Sequence, residues 1–251
     1  WLLEEFQSSS FIINLNIKNE ILDSFRKLMD LKEESFKTEH YLLAEPVQIL
    51  RRNFHKSDNE IYIRENYSIT HLTDGKICFL YIPSNFKKSV DNNIFILQQD
   101  FSIISTGKIC KDYEETLFEG YYSKNNKIFY ITDILFFKGE DIRLKKFYTN
   151  TKEQSRYDYM LESYKESILK SKYIKEDLSE ETIKFILAKY LHGNESKFDM
   201  NQRELLESNT NDYNINGLLY KSNNEHYPLK GGINYTIFKW TYPEFKSMEF
   251  L

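Results

Sequence analysis

The stretch ITHLTDGKICF, residues 69–79, consists of two runs of strand-favouring residues joined by the pair Asp74-Gly75. β-Branched and aromatic residues favour strands, and Asp-Gly is a common turn between them. Similar runs continue to residue 137, with turn signals at Asn92-Asn93 and Asn125-Asn126. We therefore predict a mostly antiparallel sheet over residues 60–137. Its predicted strands are EIYI, YSITH, KICFLYI, NIFILQQ, FSIIS, TLFEGYY and KIFYITDILFF.

Residues 16–43 carry apolar side chains at helical spacing, which predicts an amphipathic helix. We expect this helix to end at Pro46, because proline lacks the backbone N–H that would continue it. The helix is predicted either to pack on the main body or to link to an upstream region. Its apolar positions are Ile17, Ile21, Phe25, Leu28 and Met29.

Residues 152–192 are predicted to be helical. A second helix in this segment begins at Ser179, which is followed by two acidic residues, and stops at Gly193. Strands return at INGLLY (215–220) and YTIFKW (235–240). This order of helix, strands, helical insertion and closing strands predicts the α+β class.

The composition excludes several classes of protein. With 41% hydrophobic and 16% aromatic residues, the sequence predicts a globular protein. The formal net charge of -4 gives no overall attraction to nucleic acid, so RNA contact would require a local patch. No apolar run approaches the ~18 residues of a membrane span, so no membrane contact is expected. Cys78 and Cys110 are too few for a disulfide framework, and no histidine has metal-ligand spacing to them.

LTDG (72–75) is one of six segments that carry a resemblance to a known family. The others are PVQILRRNF (46–54), TLFEGYY (116–122), KIFYITDILFFKGEDIR (127–143), INGLLYKSNNEHYPL (215–229) and TIFKWTYPEFKSMEFL (236–251). In this order they resemble the nucleotidyltransferase domain of messenger-RNA capping guanylyltransferases, especially the type in multifunctional capping enzymes of large DNA viruses. DNA and RNA ligases share the superfamily, but the tail is more similar to the capping branch.

The resemblance covers about residues 44–251 and implies a nucleotidyltransferase fold of the ligase and capping-enzyme type, which is ATP-grasp-like. In this α+β fold, antiparallel sheets flanked by helices surround a cleft. Residues 1–43 would be a helical lead-in or linker, and 44–241 the nucleotidyltransferase-like domain with a helical insertion at 152–193. Residues 242–251 would begin the link to a C-terminal OB-fold-like domain. The apolar ends also predict a larger chain or assembly.

The resemblance implies a specific chemistry. In the family, the lysine of Lys-x-Asp-Gly attacks the α-phosphate of GTP and holds GMP as a phosphoramidate. Carboxylates hold a metal ion, lysines contact the phosphates, and an aromatic ring stacks on the base. The 5′-diphosphate end of RNA then accepts the GMP.

Four positions of this sequence lack the residue that the chemistry needs. Leu72 replaces the nucleophile, and Tyr121 replaces one acid of the Asp-Gly-Glu strand. Asn216 replaces another acid, and Thr241 replaces one lysine of Lys-x-Lys. We expect Leu72, Tyr121 and Asn216 to converge on one cleft between two sheets, with Lys239 nearby. The residues left for nucleotide binding, if any, are Asp74, Gly75, Glu119, Asp133 and Lys239.

The sequence therefore predicts a guanylyltransferase-like domain that is catalytically inactive and needs no cofactor. It would be an interaction module in a viral transcription or RNA-capping assembly, in the host cytoplasm or the virion. Its partners would be other subunits or domains of that assembly, with RNA as a further candidate. Two alternatives remain. One is an active GTP:RNA guanylyltransferase with an unorthodox nucleophile, using GTP and Mg²⁺ or Mn²⁺. The other is a non-covalent GTP- or cap-binding module.

Overall fold

Thirteen strands and three α-helices make up the described part of the chain. The computed structural model describes residues 10–31, 43–58, 60–84, 93–208, 210–229 and 232–243. The helices are α1 (Leu15–Leu28), α2 (Arg156–Ser163) and α3 (Glu195–Glu207). The strands are β1 (Ala44–Gln48), β2 (Tyr67–Thr73), β3 (Lys76–Ile82), β4 (Asn93–Leu97), β5 (Ile103–Ile109), β6 (Thr116–Ser123), β7 (Ile128–Phe137), β8 (Glu140–Asp141), β9 (Lys172–Tyr173), β10 (Lys184–Leu187), β11 (Leu191–His192), β12 (Ile215–Ser222) and β13 (Gly232–Thr241).

The Asp74-Gly75 turn carries the chain from one sheet into another. β2 belongs to a five-stranded sheet of order β1-β13-β12-β2-β11, and β3 belongs to an eight-stranded sheet of order β10-β7-β6-β3-β4-β5-β9, with β8 paired to β7. Gly75 has a φ of +113°, and a Cβ there would lie 2.4 Å from the carbonyl oxygen of Tyr122. This sheet-switching turn therefore requires glycine.

The main hydrophobic core lies between the two sheets and extends under α1. Phe25 of α1 packs on Phe79 and Tyr81, with ring centroids 5.7 and 6.0 Å apart, and Ser24 shares a buried 2.6 Å hydrogen bond with the Tyr81 hydroxyl. A second core cluster covers the opposite face of the five-stranded sheet, where Phe198 of α3 is buried. The five-stranded sheet is therefore buried on both faces.

The predicted α+β class of mostly antiparallel sheets with flanking helices is confirmed, as are the strands from YSITH to KIFYITDILFF. The prediction that Pro46 ends the first helix is wrong. The helix ends at Leu28, and Pro46 lies in β1 at an irregularity of its pairing with β13. The run EIYI (60–63) is not a strand, although Ile63 is fully buried. No helix in the described ranges is long and apolar enough to cross a membrane.

The predicted helical insertion at 152–193 is only partly helical. Ser179 lies in a short 3-10 segment rather than at the start of an α-helix, and residues 184–187 form β10, which pairs in parallel with β7. The three apolar residues of this segment, Phe185, Ile186 and Leu187, fit either a helix or a buried strand, and pairing with the edge of β7 favours the strand. A helix that the sequence did not predict, α3, begins just after Gly193, where the insertion was expected to end.

Candidate functional site

The strands β2, β12 and β13 lie side by side and bring several motif positions together. Leu72 pairs with Gly217, which pairs with Thr241, and Leu219 pairs with Lys239. Residues paired across strands share one face of the sheet. Because Leu72 and Leu219 belong to the core between the sheets, Leu72, Lys239 and Thr241 all lie on the face that looks toward the eight-stranded sheet.

Leu72, at the position of the family's nucleophile, is part of the packed interior. Its side chain is 7% exposed and belongs to the same core as Tyr121 on β6. Asn216 lies in an irregularity of the β2–β12 pairing and lines a cavity of about 560 Å³, together with Asp74 and Tyr213. Leu72 and Tyr121 thus share the core between the sheets, whereas neither of them lines the cavity beside Asn216.

Asp74 is engaged in the turn itself. Its carboxylate accepts hydrogen bonds from the Ser123 hydroxyl at 2.9 Å and from the Asn126 amide at 3.2 Å. These contacts tie the turn after β2 to the turn that joins β6 and β7. The geometry of the turn therefore accounts for the presence of both Asp74 and Gly75.

Glu119 and Asp133, the other two predicted acids, meet in the interior around one lysine. The Lys221 ammonium donates to Glu119 Oε1 and to Asp133 Oδ2, both at 3.0 Å, and to the Thr132 carbonyl at 3.4 Å. Lys221 is 3% exposed, Glu119 2% and Asp133 1%. All three ammonium hydrogens therefore have acceptors on the protein.

Arg156, the first residue of α2, completes this buried cluster. Its Nε and one Nη donate to the two oxygens of Asp133 at 3.0 and 3.2 Å, which is the bidentate geometry that arginine favours. The other Nη donates to the Lys145 carbonyl at 2.5 Å. Burial acts to raise the pKa of Asp133, but the charges of Arg156 and Lys221 outweigh it and hold that pKa below the ordinary value.

Tyr227 closes the Glu119 side of the cluster. Its hydroxyl donates to Glu119 Oε2 at 2.5 Å, and the backbone N–H of Ala44 donates to that carboxylate oxygen at 3.4 Å. Burial and the Glu119 charge raise the pKa of Tyr227 well above its usual range. We call Glu119, Asp133, Lys221 and Arg156 the buried charge cluster. Its two negative and two positive charges cancel.

Lys221 and Arg156 were not predicted from the sequence. A signal for Lys221 exists, because side chains alternate along a strand and Lys221 follows Leu219 by two positions. Since Leu219 faces the core, Lys221 must do so too. No comparable signal marks Arg156, which lies in the exposed-looking stretch QSRYDY. No group of three or more His, Cys, Asp or Glu side chains in the described ranges is arranged to hold a metal ion.

A larger cavity, of about 860 Å³, opens at the other end of β2. Within its wall the rings of Tyr148 and His192 stack with centroids 3.5 Å apart and planes 3° apart. The buried Ser68 hydroxyl donates to Asn223 Oδ1, so its oxygen accepts from His192 Nδ1 at 2.6 Å. Burial lowers the pKa of His192 to about 4, although the Asp158 charge acts in the opposite direction.

Lowering the pH from 6.5 to 4 should reduce stability through His192. Over that range the unfolded chain binds a proton at this histidine that the folded chain does not. The free energy of unfolding therefore decreases as the pH is lowered. We expect a contribution of about 2 kcal/mol, after allowance for partial solvent screening. His192→Asn, which keeps a donor for Ser68, should show a shallower pH dependence in urea denaturation. If the free energy of unfolding depended on pH equally in His192→Asn and in the original chain, this prediction would be wrong.

No protein-family model matches the sequence, and no curated protein matches it. Among solved structures, the chain is similar to the ligase domain of LigD from M. tuberculosis, with 10% identity, a TM-score of 0.38 and coverage of 70% of this chain. A mycobacterial DNA ligase D complexed with ATP and MES gives 10% identity and a TM-score of 0.38 over 69% of this chain. The chain spans about half the length of each, 53% in both cases. At this identity the likeness concerns the fold alone.

Proposed function

We propose that this chain is a guanylyltransferase-like domain that does not transfer nucleotides and acts as an interaction module. The order of the motif segments along the strands supports the capping-type resemblance. One observation is the main support for the proposed loss of nucleotide transfer. The two acids that remain at motif positions, Glu119 and Asp133, are neutralised inside the protein by Lys221 and Arg156. Cations of the protein already compensate these carboxylates, so a divalent cation would have to compete with Lys221 and Arg156 for them.

The packing around Leu72 supports the same proposal. A nucleophilic lysine must reach the α-phosphate of a bound nucleotide, so the space around it has to admit phosphates. In this chain that space holds Leu72 and Tyr121, both buried. Lys221 is not a substitute nucleophile in this geometry, because its hydrogens are bonded to two carboxylates and a carbonyl.

A role in contacts with other proteins is supported by an apolar patch. Ile233 and Tyr235 are 61 and 69% exposed and lie on the same face of β13. Neighbouring exposed apolar residues are typical of interaction surfaces. We propose that the partners are other subunits or domains of a transcription or RNA-capping assembly, viral in origin and located in the host cytoplasm or the virion.

We expect no covalent GMP adduct when the chain is incubated with α-labelled GTP and Mg²⁺ or Mn²⁺. Leu72 has no nucleophilic atom, and Lys221 is paired. The products are separated on a denaturing gel, with an active guanylyltransferase as a positive control. A labelled band at 30.3 kDa that is acid-labile and alkali-stable would show that the domain is an enzyme.

A second candidate function, non-covalent binding of GTP or a capped RNA end, is favoured by the cavity of about 560 Å³ beside Asp74 and Asn216. Its volume is within the range of small-molecule sites. Calorimetric titration with GTP and with a cap analogue tests it, and Tyr213→Ala should weaken any binding because Tyr213 lines that cavity.

A further inference from the structure

The cavity of about 860 Å³ lies away from all the motif positions discussed above. It is bordered by the start of β2 and the end of β12, whereas Leu72 lies five residues beyond Tyr67, the first residue of β2, on the order of 17 Å away. None of the predicted site residues lines it. Any ligand of this cavity would therefore be separate from a nucleotide bound at the Leu72 end.

Neutral hydrogen-bonding groups dominate the wall of this cavity. Amide side chains both donate and accept, and a pair of such bonds can read the edge of a base, as asparagine does with adenine. The asparagines of the wall are Asn66, Asn150, Asn194, Asn223 and Asn224.

The two acidic residues of the wall, Glu65 and Glu195, both pair with Lys56, which lies just outside the wall. Lys56 contacts Glu65 at 2.8 Å and Glu195 at 3.4 Å, and Glu195 also accepts from the Tyr62 hydroxyl. A wall with little unpaired charge favours a neutral ring over a phosphate group. Lys197 is the remaining charged residue of the wall.

Two further features equip the cavity for a flat polar ring. Tyr148 is held on one face by the His192 ring, and its hydroxyl donates to Asn150 at 2.7 Å, so the ring is fixed before a ligand arrives. At the start of α3, Asn194 accepts from the Ser196 hydroxyl at 2.7 Å instead of capping the helix. The first N–H groups of α3 therefore have no side-chain cap, although that of Lys197 donates to the Asn194 carbonyl at 3.0 Å.

We propose that this cavity binds a nucleobase, stacked on Tyr148 and bonded at its edge by the asparagine side chains. The base comes from single-stranded nucleic acid or from a free nucleoside, which share this chemistry. Stacking on aromatic rings is the common means of holding unpaired bases. The proposal does not depend on whether the domain transfers nucleotides.

The test is a fluorescence anisotropy titration of the full chain with a labelled oligonucleotide of six adenosines. We expect Tyr148→Leu to weaken binding about tenfold, which is the usual effect of removing one stacking ring. Tyr173→Leu, which replaces an exposed tyrosine outside the cavity, should bind like the original chain. Thermal unfolding of each variant shows whether it is folded. Because the wall has little unpaired charge, we expect a weak dependence of affinity on salt.

A second measurement does not depend on substitutions. An oligonucleotide carrying a photoreactive adenine is cross-linked to the unaltered chain, and mass spectrometry should locate the product within residues 148–150 or 192–197. Competition by adenosine distinguishes the two sources of the base. If adenosine displaces the oligonucleotide at equal concentration, a free nucleoside is a sufficient ligand. If it does not, the ligand is single-stranded nucleic acid. Absence of saturable binding, equal affinity of Tyr148→Leu, or cross-links elsewhere would overturn the proposal. Binding to mono- and disaccharides instead would overturn it too.

Discussion

Replacing Lys221 with methionine should lower the free energy of unfolding by about 3 to 5 kcal/mol. The substitution removes one positive charge from the buried charge cluster and leaves Glu119 with hydrogen bonds from Tyr227 and Ala44 only. An uncompensated carboxylate in the interior is costly because water no longer solvates it. Methionine fills a similar volume, so the loss is attributable to charge rather than to a cavity.

Urea denaturation of Lys221→Met and of Lys184→Met measures the effect. Lys184 also lies in a strand and pairs with Asp212 at 2.5 Å, but its side chain is 56% exposed, so its loss should cost less than about 1 kcal/mol. Adding Glu119→Gln to Lys221→Met restores neutrality and should recover part of the stability. If Lys221→Met were as stable as the original chain, the buried charge cluster would not depend on Lys221 as we expect.

Restoring the missing lysine by Leu72→Lys should destabilise the fold and produce no GMP adduct. The side chain at this position is 7% exposed and surrounded by core residues, so a lysine there must either bury its charge or give up its proton. Either outcome costs about 3 kcal/mol or more. Leu72→Met, which nearly conserves volume, should cost less than about 1.5 kcal/mol.

We expect no adduct for a separate reason, which rests on the capping-type resemblance. Tyr121, Asn216 and Thr241 still lack the carboxylates and the amine that hold the metal and the phosphates, and groups that act as a unit recover little when one is restored. Denaturant midpoints and labelling with α-labelled GTP are measured on the same samples. Robust labelling of a stable Leu72→Lys variant would mean that the remaining positions have been assigned to the wrong residues.

The surroundings of Glu119 and Asp133 change how these two motif positions are interpreted. The resemblance in the sequence leaves Glu119 and Asp133 among the few residues that could still bind a nucleotide. In the structure the Lys221 ammonium lies 3.0 Å from each of them. The Lys221 ammonium compensates both carboxylates, so they can be buried away from water without a bound ligand.

Local features of this protein could be predicted from the sequence, because they depend on neighbouring residues. The alternation and composition of the runs from 67 to 137 determine strands, and Asp74-Gly75 determines the turn that switches sheets. The α+β class follows from the order of such segments. Where local preference is weak, as in KFIL (184–187) or in α3 with its few apolar residues, the prediction failed.

Only the tertiary structure decided which charges meet. Lys221 lies 102 positions from Glu119 and 88 from Asp133, and Arg156 lies 23 positions from Asp133. The pairing of β12 with β2 and the docking of α2 on β7 bring these side chains together, and neither contact leaves a mark in the local sequence. Whether an acid at a motif position can bind a metal depends on the charges of the side chains next to it. That charge comes from a strand or helix distant in the chain, so its effect appears only when the sheets are packed.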